Sequence, residues 1–580
     1  MEQFLSSLTA RLSGSDRDRL LAVHAPRTVA IPPEDSRRAV VVMPDGEIRA
    51  YGTVGKKDVF DTGRQVYLAS DNCGLDWHLC TPDTRTMGAA TYLPWCARWI
   101  TVCSDGAGTY ALTSAIGPDD TAPTRIPITP DRLIDMFQPE FYKNGDGWRI
   151  VCCGHTTKDD WDMPVFLTSD DDGSTWHTVF LHPTPRHEAV YPHLGVRWQN
   201  TGTESTFTRL SDGRLMLLVR TSLDYLYVYY SADLGTTWTD GAPSSFHCTL
   251  TTPYLLRLSD GRTLFFWNNT RPLAERNHET EFPPLSAGTI LGYGEDVFTN
   301  RDACHAAIAD AGDCVHWRGF RELALNEIRN APDFRVHGGK LSSADKSVHQ
   351  FQAIELPYGR VLVSYGQHAS SRRLAIFSLD WLYETDRVED WQEGLSHVST
   401  QLYVKSISGC HLDTGFAGHC AWNRTNGALL VPDPDATFGE VLQLCRIRDE
   451  RLVSDVQGVV WNFPAADSGT LTLELRVEGS GAAIRLCDHW MNPSDPDVFR
   501  YAQYDFVLDS RVLSPGVWHT VTISFAADGV GLVRAGDKVL FAIHRHGDAP
   551  QGISYLHMQT TATDTDPRGI LIRRMAFHAE

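Results

Sequence analysis

Along most of the chain, apolar residues come in short runs rich in Val, Tyr, Phe and Trp, separated by Asp-Gly or Gly turns, which is the pattern of strands. One unit recurs: an apolar strand, an Asp-Gly turn, a second strand, a loop, then a third strand ending in a polar turn before Trp. The clearest copy is residues 205–238 (STFTRLSDGRLMLLVRTSLDYLYVYYSADLGTTW), and the others are 39–77, 90–116, 137–176, 254–317 and 351–384. Repetition of this kind predicts a radial array of sheets, because one blade cannot bury both of its faces alone. A stack of hairpins in a sandwich would instead show regular short spacing without the three-strand unit.

The ends of the chain read differently. Residues 1–35 predict a short amphipathic helix (Phe4, Leu5, Leu8, Leu12) and an extended lead-in through Pro26 and Pro32-Pro33. Residues 36–395 hold the repeated units. After the polar stretch 387–399, residues 396–580 alternate apolar and polar positions over 471–477, 483–488, 501–508, 518–525, 531–535 and 571–577. Alternation without a helical period predicts a two-sheet sandwich.

Two turns are written alike. Ser169-Asp170-Asp171-Asp172-Gly173-Ser174-Thr175-Trp176 and Ser231-Ala232-Asp233-Leu234-Gly235-Thr236-Thr237-Trp238 both fit S-x-D-x-G-x-T-W. Ser and Asp side chains can bond the N–H groups of a tight turn, Gly supplies a positive φ, and Trp pins the turn to its sheet. Residues 70–77 (SDNCGLDW) have Asn72 where Asp belongs, and residues 310–317 (DAGDCVHW) keep little beyond Trp317. These turns resemble the Asp boxes of the sialidase superfamily. The resemblance implies an all-β chain with a six-bladed propeller whose boxes are structural and sit at outer turns. The segment 515–543 is similar to concanavalin/laminin-G-like sandwiches, which are often attached to glycosidases. A fold of this type does not name the reaction.

Charge and cysteine usage narrow the setting. A net charge of −20 argues against nucleic-acid or anionic-membrane partners, although a few converging arginines can reverse the sign locally. Residues 1–12 lack the basic start and continuous apolar run of a secretory leader, and no stretch reaches a membrane span. The thirteen cysteines are scattered and often lie in apolar strands, as reduced thiols of a cytoplasmic protein would. Cys73–Cys80 and Cys410–His411 lack a second ligand pair at zinc spacing, so neither a metal nor another cofactor is expected.

The sialidase resemblance implies a particular site: three arginines on a carboxylate, a Tyr nucleophile supported by Glu, and a separate Asp as acid/base. A guanidinium fork pairs a carboxylate bidentately, which is why arginines suit the task. Glu204 and Arg220 match the Glu and one arginine across an Asp-Gly hairpin (ESTFTRLSDGRLMLLVR). Arg37 or Arg38 matches a second arginine, and Arg271, with Arg276 behind it, a third. Asp58 and Asp61 lie where the acid/base is expected. The last blade departs from the family, for it reads His349-Gln350 where the Tyr should be, and Tyr365 only ends the next strand.

Histidines collect near the predicted blade mouths: His155, His187, His193, His337 and His349. They include the patches HEAVYPHLGVRW (His187, Tyr191, His193, Arg197) and RNAPDFRVHGG (Arg329, Asp333, Arg335, His337). Singly each reads as a loop hydrogen-bonder; together they suggest a proton-handling pocket. Gln138 and Glu140 open another blade and can face the centre. The leading expectation is a sialidase-like, exo-acting glycoside hydrolase releasing a terminal acidic sugar from an oligosaccharide or glycoconjugate. In it Glu204 shares acid/base work with Asp58, Asp61 or His349, by an inverting route if the Tyr is absent. A lyase eliminating across uronic acids with Tyr and His, and a non-catalytic carbohydrate-binding propeller, remain as alternatives. The oligomeric state and the role of the sandwich stay open.

Overall fold

Alternation separates the two halves of the chain. In the strand Leu215–Thr221 every residue is buried, whereas in Gly469–Val477 buried and half-buried positions alternate. The first pattern suits a strand covered on both faces, the second a sheet with one wet face. The computed structural model describes residues 2–34, 38–55, 63–135, 138–188, 199–271, 301–327, 329–330, 347–366, 371–407 and 422–580.

Six four-stranded antiparallel sheets form the blades of a propeller. Their first, innermost strands are Val40–Val42, Thr91–Leu93, Glu140–Asn144, Thr201–Arg209, Tyr254–Arg257 and Gln352–Leu356. Each blade therefore has one strand more than the three-strand unit legible in the sequence. The sixth sheet takes its outermost strand, Arg27–Ala30, from the start of the chain and pairs it with Arg373–Ser378. That stretch was expected to be lead-in. An apolar cluster lies between each successive pair of blades, and one that includes Val40, Ile48, Leu356, Leu362 and Ile376 joins the first blade to the last. Gln352 clasps the same seam, accepting from Val40 N at 2.8 Å and donating to Val40 O at 2.9 Å.

Two helices precede the first blade, Glu2–Arg11 and Gly14–Leu21, where the sequence predicts only one. The second starts because the Ser13 side chain accepts from Asp16 N, capping a free donor. Leu8, Leu20 and Val23 pack into the seam between the first and last blades. Among the described residues no helix is long and apolar enough to cross a membrane.

The box turns link the third strand of a blade to its fourth. Asp171 accepts from Ser169 Oγ and from both N and Oγ1 of Thr175 at 2.7–2.9 Å, and Trp176 Nε1 donates to Gly173 O at 3.0 Å. Asp233, Thr237 and Trp238 repeat the set. Asn72 does the Asp's work in the worn copy, accepting from Asp76 N at 3.0 Å, and Trp317 still donates to Cys314 O at 2.9 Å. The boxes also dock blades together: Gly235, at φ 92°, lies so close to Phe166 of the preceding blade that a Cβ would meet it at 2.3 Å.

The remainder is a pair of sheets of eight and five strands around one apolar core, with a two-stranded ribbon of Leu402–Ile407 and Trp422–Thr425 besides. The larger begins with Asp386–Glu389, before the change at residue 396 that the sequence suggested. The core is built from positions such as Leu471, Leu473, Ile484, Leu486, Ile523 and Ile572. A buried hydrogen-bonded chain, His305 Nε2 to Tyr555 OH at 2.5 Å and Tyr555 OH to Glu322 at 2.9 Å, ties this sandwich to the fifth blade.

The docking geometry makes a testable demand. Gly235→Ala combines a positive φ with a clash and is expected to destabilise the propeller by roughly 1–3 kcal/mol, whereas Gly55→Ala, with open space around it, meets only the backbone strain. Urea unfolding of both variants should show the earlier transition for Gly235→Ala.

Candidate active site at the mouth of the inner strands

In each antiparallel blade the first strand starts, the second ends and the third starts at the same end of the propeller. Residues at those three kinds of position converge there. Glu204 sits in the fourth blade's inner strand, where the register against the second strand slips between Thr203 and Thr206. Its φ is 43°, and such a bulge re-aims a side chain out of the regular alternation. Arg220 closes the neighbouring strand and donates through Nη1 to Glu204 Oε2. Gln350, at φ 65° just ahead of the sixth blade's inner strand, donates through Nε2 to Glu204 Oε1 at 3.0 Å. Both carboxylate oxygens are thus engaged, and Glu204 and Arg220 are 6% and 4% exposed.

Further groups frame this pair. The Glu204 N–H donates to His155 Nδ1 at 3.5 Å, and His155 stands 4.0 Å from the Asp135 carboxylate. Arg38 donates to Asp135 O at 2.7 Å, and Gln138 donates to Arg38 O at 3.3 Å. Burial alone would raise the Glu204 carboxyl. The charges of Arg220 and Arg38, the Thr252 hydroxyl and His349 outweigh it and hold the group well below the usual carboxylate range. Burial pushes His155 down, against Asp135, Asp162 and Glu204, so its imidazole is neutral.

Glu140 behaves in the opposite way. It opens the third blade's inner strand with its side chain still exposed to solvent, and partial desolvation raises its carboxyl to about 7 although Tyr142 donates to it at 2.7 Å. Burial pushes the hydroxyl of Tyr254, two blades further on, upward, with Glu140 adding to the shift and Arg38 opposing it, and that hydroxyl donates to Ala353 O at 3.3 Å.

Residues 98–317 match the family described as BNR repeat-like domain. The matched stretch is 220 of the chain's 580 residues. It holds His155, Glu204 and Arg220, while Arg38 and Gln350 reach the site from blades outside it. Among solved structures, Trypanosoma rangeli sialidase in complex with sialic acid is similar at 11% identity over 96% of this chain and 91% of that one, with a TM-score of 0.36. A protein of unknown function from Dyadobacter fermentans is 18% identical over 61% of this chain and 96% of its own, with a TM-score of 0.34. A β-fructofuranosidase from Schwanniomyces occidentalis is 11% identical over 86% and 96%, with a TM-score of 0.24. Comparison with curated proteins finds no match.

Arg271 follows the apolar strand Thr263–Trp267, and its guanidinium lies 3.7 Å over the Tyr501 ring of the sandwich and 3.8 Å from Asp224, between the fourth blade's second and third strands. Tyr365 packs into the apolar cluster between the fifth and sixth blades, where burial raises its hydroxyl, so it is no nucleophile at Glu204. Among the described residues no tyrosine is hydrogen-bonded to Glu204. His349 is buried, with Nδ1 2.8 Å from Ser347 Oγ. His187 is held by its backbone, whose N–H donates to Gln199 at 2.9 Å, and Arg329 is pinned to carbonyls of residues 395–398. Arg37, Asp58, Asp61, Tyr191, His193, Arg197, Arg276, Asp333, Arg335 and His337 lie outside the described residues.

Two buried arginines were missed. Arg301 and Arg372 are 2% and 0% exposed and stand just ahead of third strands. Arg301 O accepts from Val348 N at 3.0 Å, and Arg372 donates to Gly366 O at 2.9 Å, whose own N–H donates to His349 O. An arginine directly ahead of an apolar strand, as Arg38 is, was the available signal.

The raised Glu140 carboxyl has a signed consequence. Its proton is held more tightly folded than unfolded, so its contribution to stability is full below the ordinary carboxylate range and is lost as pH rises through about 7. Between pH 5 and pH 8 the urea midpoint of the natural protein should fall relative to that of Glu140→Gln; parallel profiles would contradict this.

Proposed function

We propose that the protein is a sialidase-like, exo-acting glycoside hydrolase that releases a terminal acidic sugar from an oligosaccharide or glycoconjugate. The observation that carries this reading is a buried carboxylate, Glu204, held by Arg220 with Arg38 beside it, at the end where inner strands begin. An ion pair so deeply buried costs desolvation that its own attraction barely repays, so it is better explained as a binding device than as a stabiliser. A substrate carboxylate sharing these guanidinium groups would weaken their hold on Glu204 and raise its proton affinity, turning a silent anion into a base.

Gln350 shapes the chemistry. An amide neither ionises nor attacks an anomeric carbon; it can only orient Glu204. Among the described residues no tyrosine stands beside Glu204 for the covalent route of the sialidase family, and the route we propose is inversion: water attacks the anomeric carbon and gives its proton to Glu204, while the leaving oxygen takes a proton from an acid for which Asp58, Asp61 and His349 are the candidates. A second reading rests on His155: a neutral imidazole beside an arginine-bound carboxylate is also what a uronate lyase requires to remove a proton.

Aryl glycosides of acidic sugars and unsaturated-product absorbance separate the readings. The natural protein should release free acidic sugar with inverted configuration by NMR, and Glu204→Gln and Arg220→Met should each lower turnover by roughly 100-fold or more. An ultraviolet-absorbing unsaturated uronate would favour the lyase, and saturable glycan binding without turnover the carbohydrate-binding propeller.

A further inference from the structure

A second cluster of chemically able side chains lies at the outer edge of the fourth blade, where it meets the sandwich. His247 ends the blade's outer strand Ala242–His247, and Asp488 and His489 follow the sandwich strand Ala482–Cys487. His247 Nε2 is 3.5 Å from Asp488 Oδ2, and His489 Nδ1 is 2.5 Å from Asp488 Oδ1. The two imidazole rings lie 3.9 Å apart between centroids. One donor atom from each of the three residues falls within 4.8 Å of the others.

The backbone on both sides is fixed. Thr270 and Trp490 form a parallel bridge, Trp490 N donates to Asn269 O at 2.9 Å, and Asn269 Nδ2 donates to Asp488 O at 2.9 Å. Trp267 Nε1 donates to His247 O at 3.0 Å. The donors are thus presented by paired main chain rather than by free loops, as a preorganised site requires. Each ring directs one nitrogen at Asp488, while the other, His247 Nδ1 or His489 Nε2, is buried with no hydrogen-bond partner among the described residues. The donors that converge are His247 Nε2, His489 Nδ1 and the Asp488 carboxylate, and His489 is enclosed, with a side chain only 2% exposed. Arg271 lies nearby, with its charge answered by Asp224.

We infer that His247, Asp488 and His489 form a binding site for a divalent transition-metal ion of the zinc type, which staples the sandwich to the propeller. Two imidazoles and one carboxylate are a common zinc donor set, with bonds of about 2.0–2.2 Å and a fourth position left to water. His247 is the most open of the three, at 27% side-chain exposure, and gives that water its route. Sequence spacing cannot join these donors, because they come from segments far apart in the chain.

The test uses the full chain, stripped with chelator under reducing conditions and dialysed against zinc chloride alone. It should retain one zinc per chain, with an X-ray absorption shell of nitrogen and oxygen and no sulfur, and its melting temperature should rise on loading. His247→Ala, at the partly open ligand, should fold with an unchanged circular dichroism spectrum and bind zinc at least roughly tenfold more weakly, and Asp488→Asn should do the same. Failure of the natural protein to retain zinc, sulfur in the shell, or undiminished binding by folded His247→Ala would each overturn the assignment.

Discussion

Everything at the propeller mouth depends on one antiparallel pairing, that of Arg27–Ala30 with Arg373–Ser378. It completes the last blade with a strand from the start of the chain and so holds the first and last blades side by side. The apolar seam from Leu8 to Ile376 and the Gln352 clasp on Val40 follow from it. Blades added one after another in sequence would otherwise leave an exposed edge and a gap where Arg38 and Gln350 meet their partners. Non-local pairing of this kind is slow to form but, once made, sets the position of every inner strand.

The same constraint explains the electrostatics. Glu204 and Gln350 are 146 residues apart in the chain, and only the ring of blades brings amide and carboxylate together. Within that ring one carboxyl, Glu204, is driven down by arginine and another, Glu140, is driven up by desolvation. Groups whose environments push their proton affinities apart are the raw material of acid–base chemistry.

Much of this was legible in the chain. The two complete S-x-D-x-G-x-T-W turns led to the propeller, and the sialidase resemblance they carry singled out Glu204, Arg220 and Arg38 as matches and Gln350 as a departure. What escaped had physical reasons. Arg27–Ala30 is too short and too far from its partner to read as a blade strand. Tyr365 ends at the right level, but its side chain is turned into the inter-blade core. Arg301 and Arg372 precede third strands, where sequence pattern alone does not separate a buried arginine from an exposed one.

The central claim is that Arg220 and its neighbours at Glu204 receive a carboxylate. Isothermal titration of an acidic monosaccharide and of its neutral, carboxyl-reduced analogue, each into the natural protein and into Arg220→Met, tests it most directly. The account predicts binding of the acidic sugar to the natural protein alone. Equal binding of both sugars, or binding of the acidic sugar undiminished in folded Arg220→Met, would contradict it.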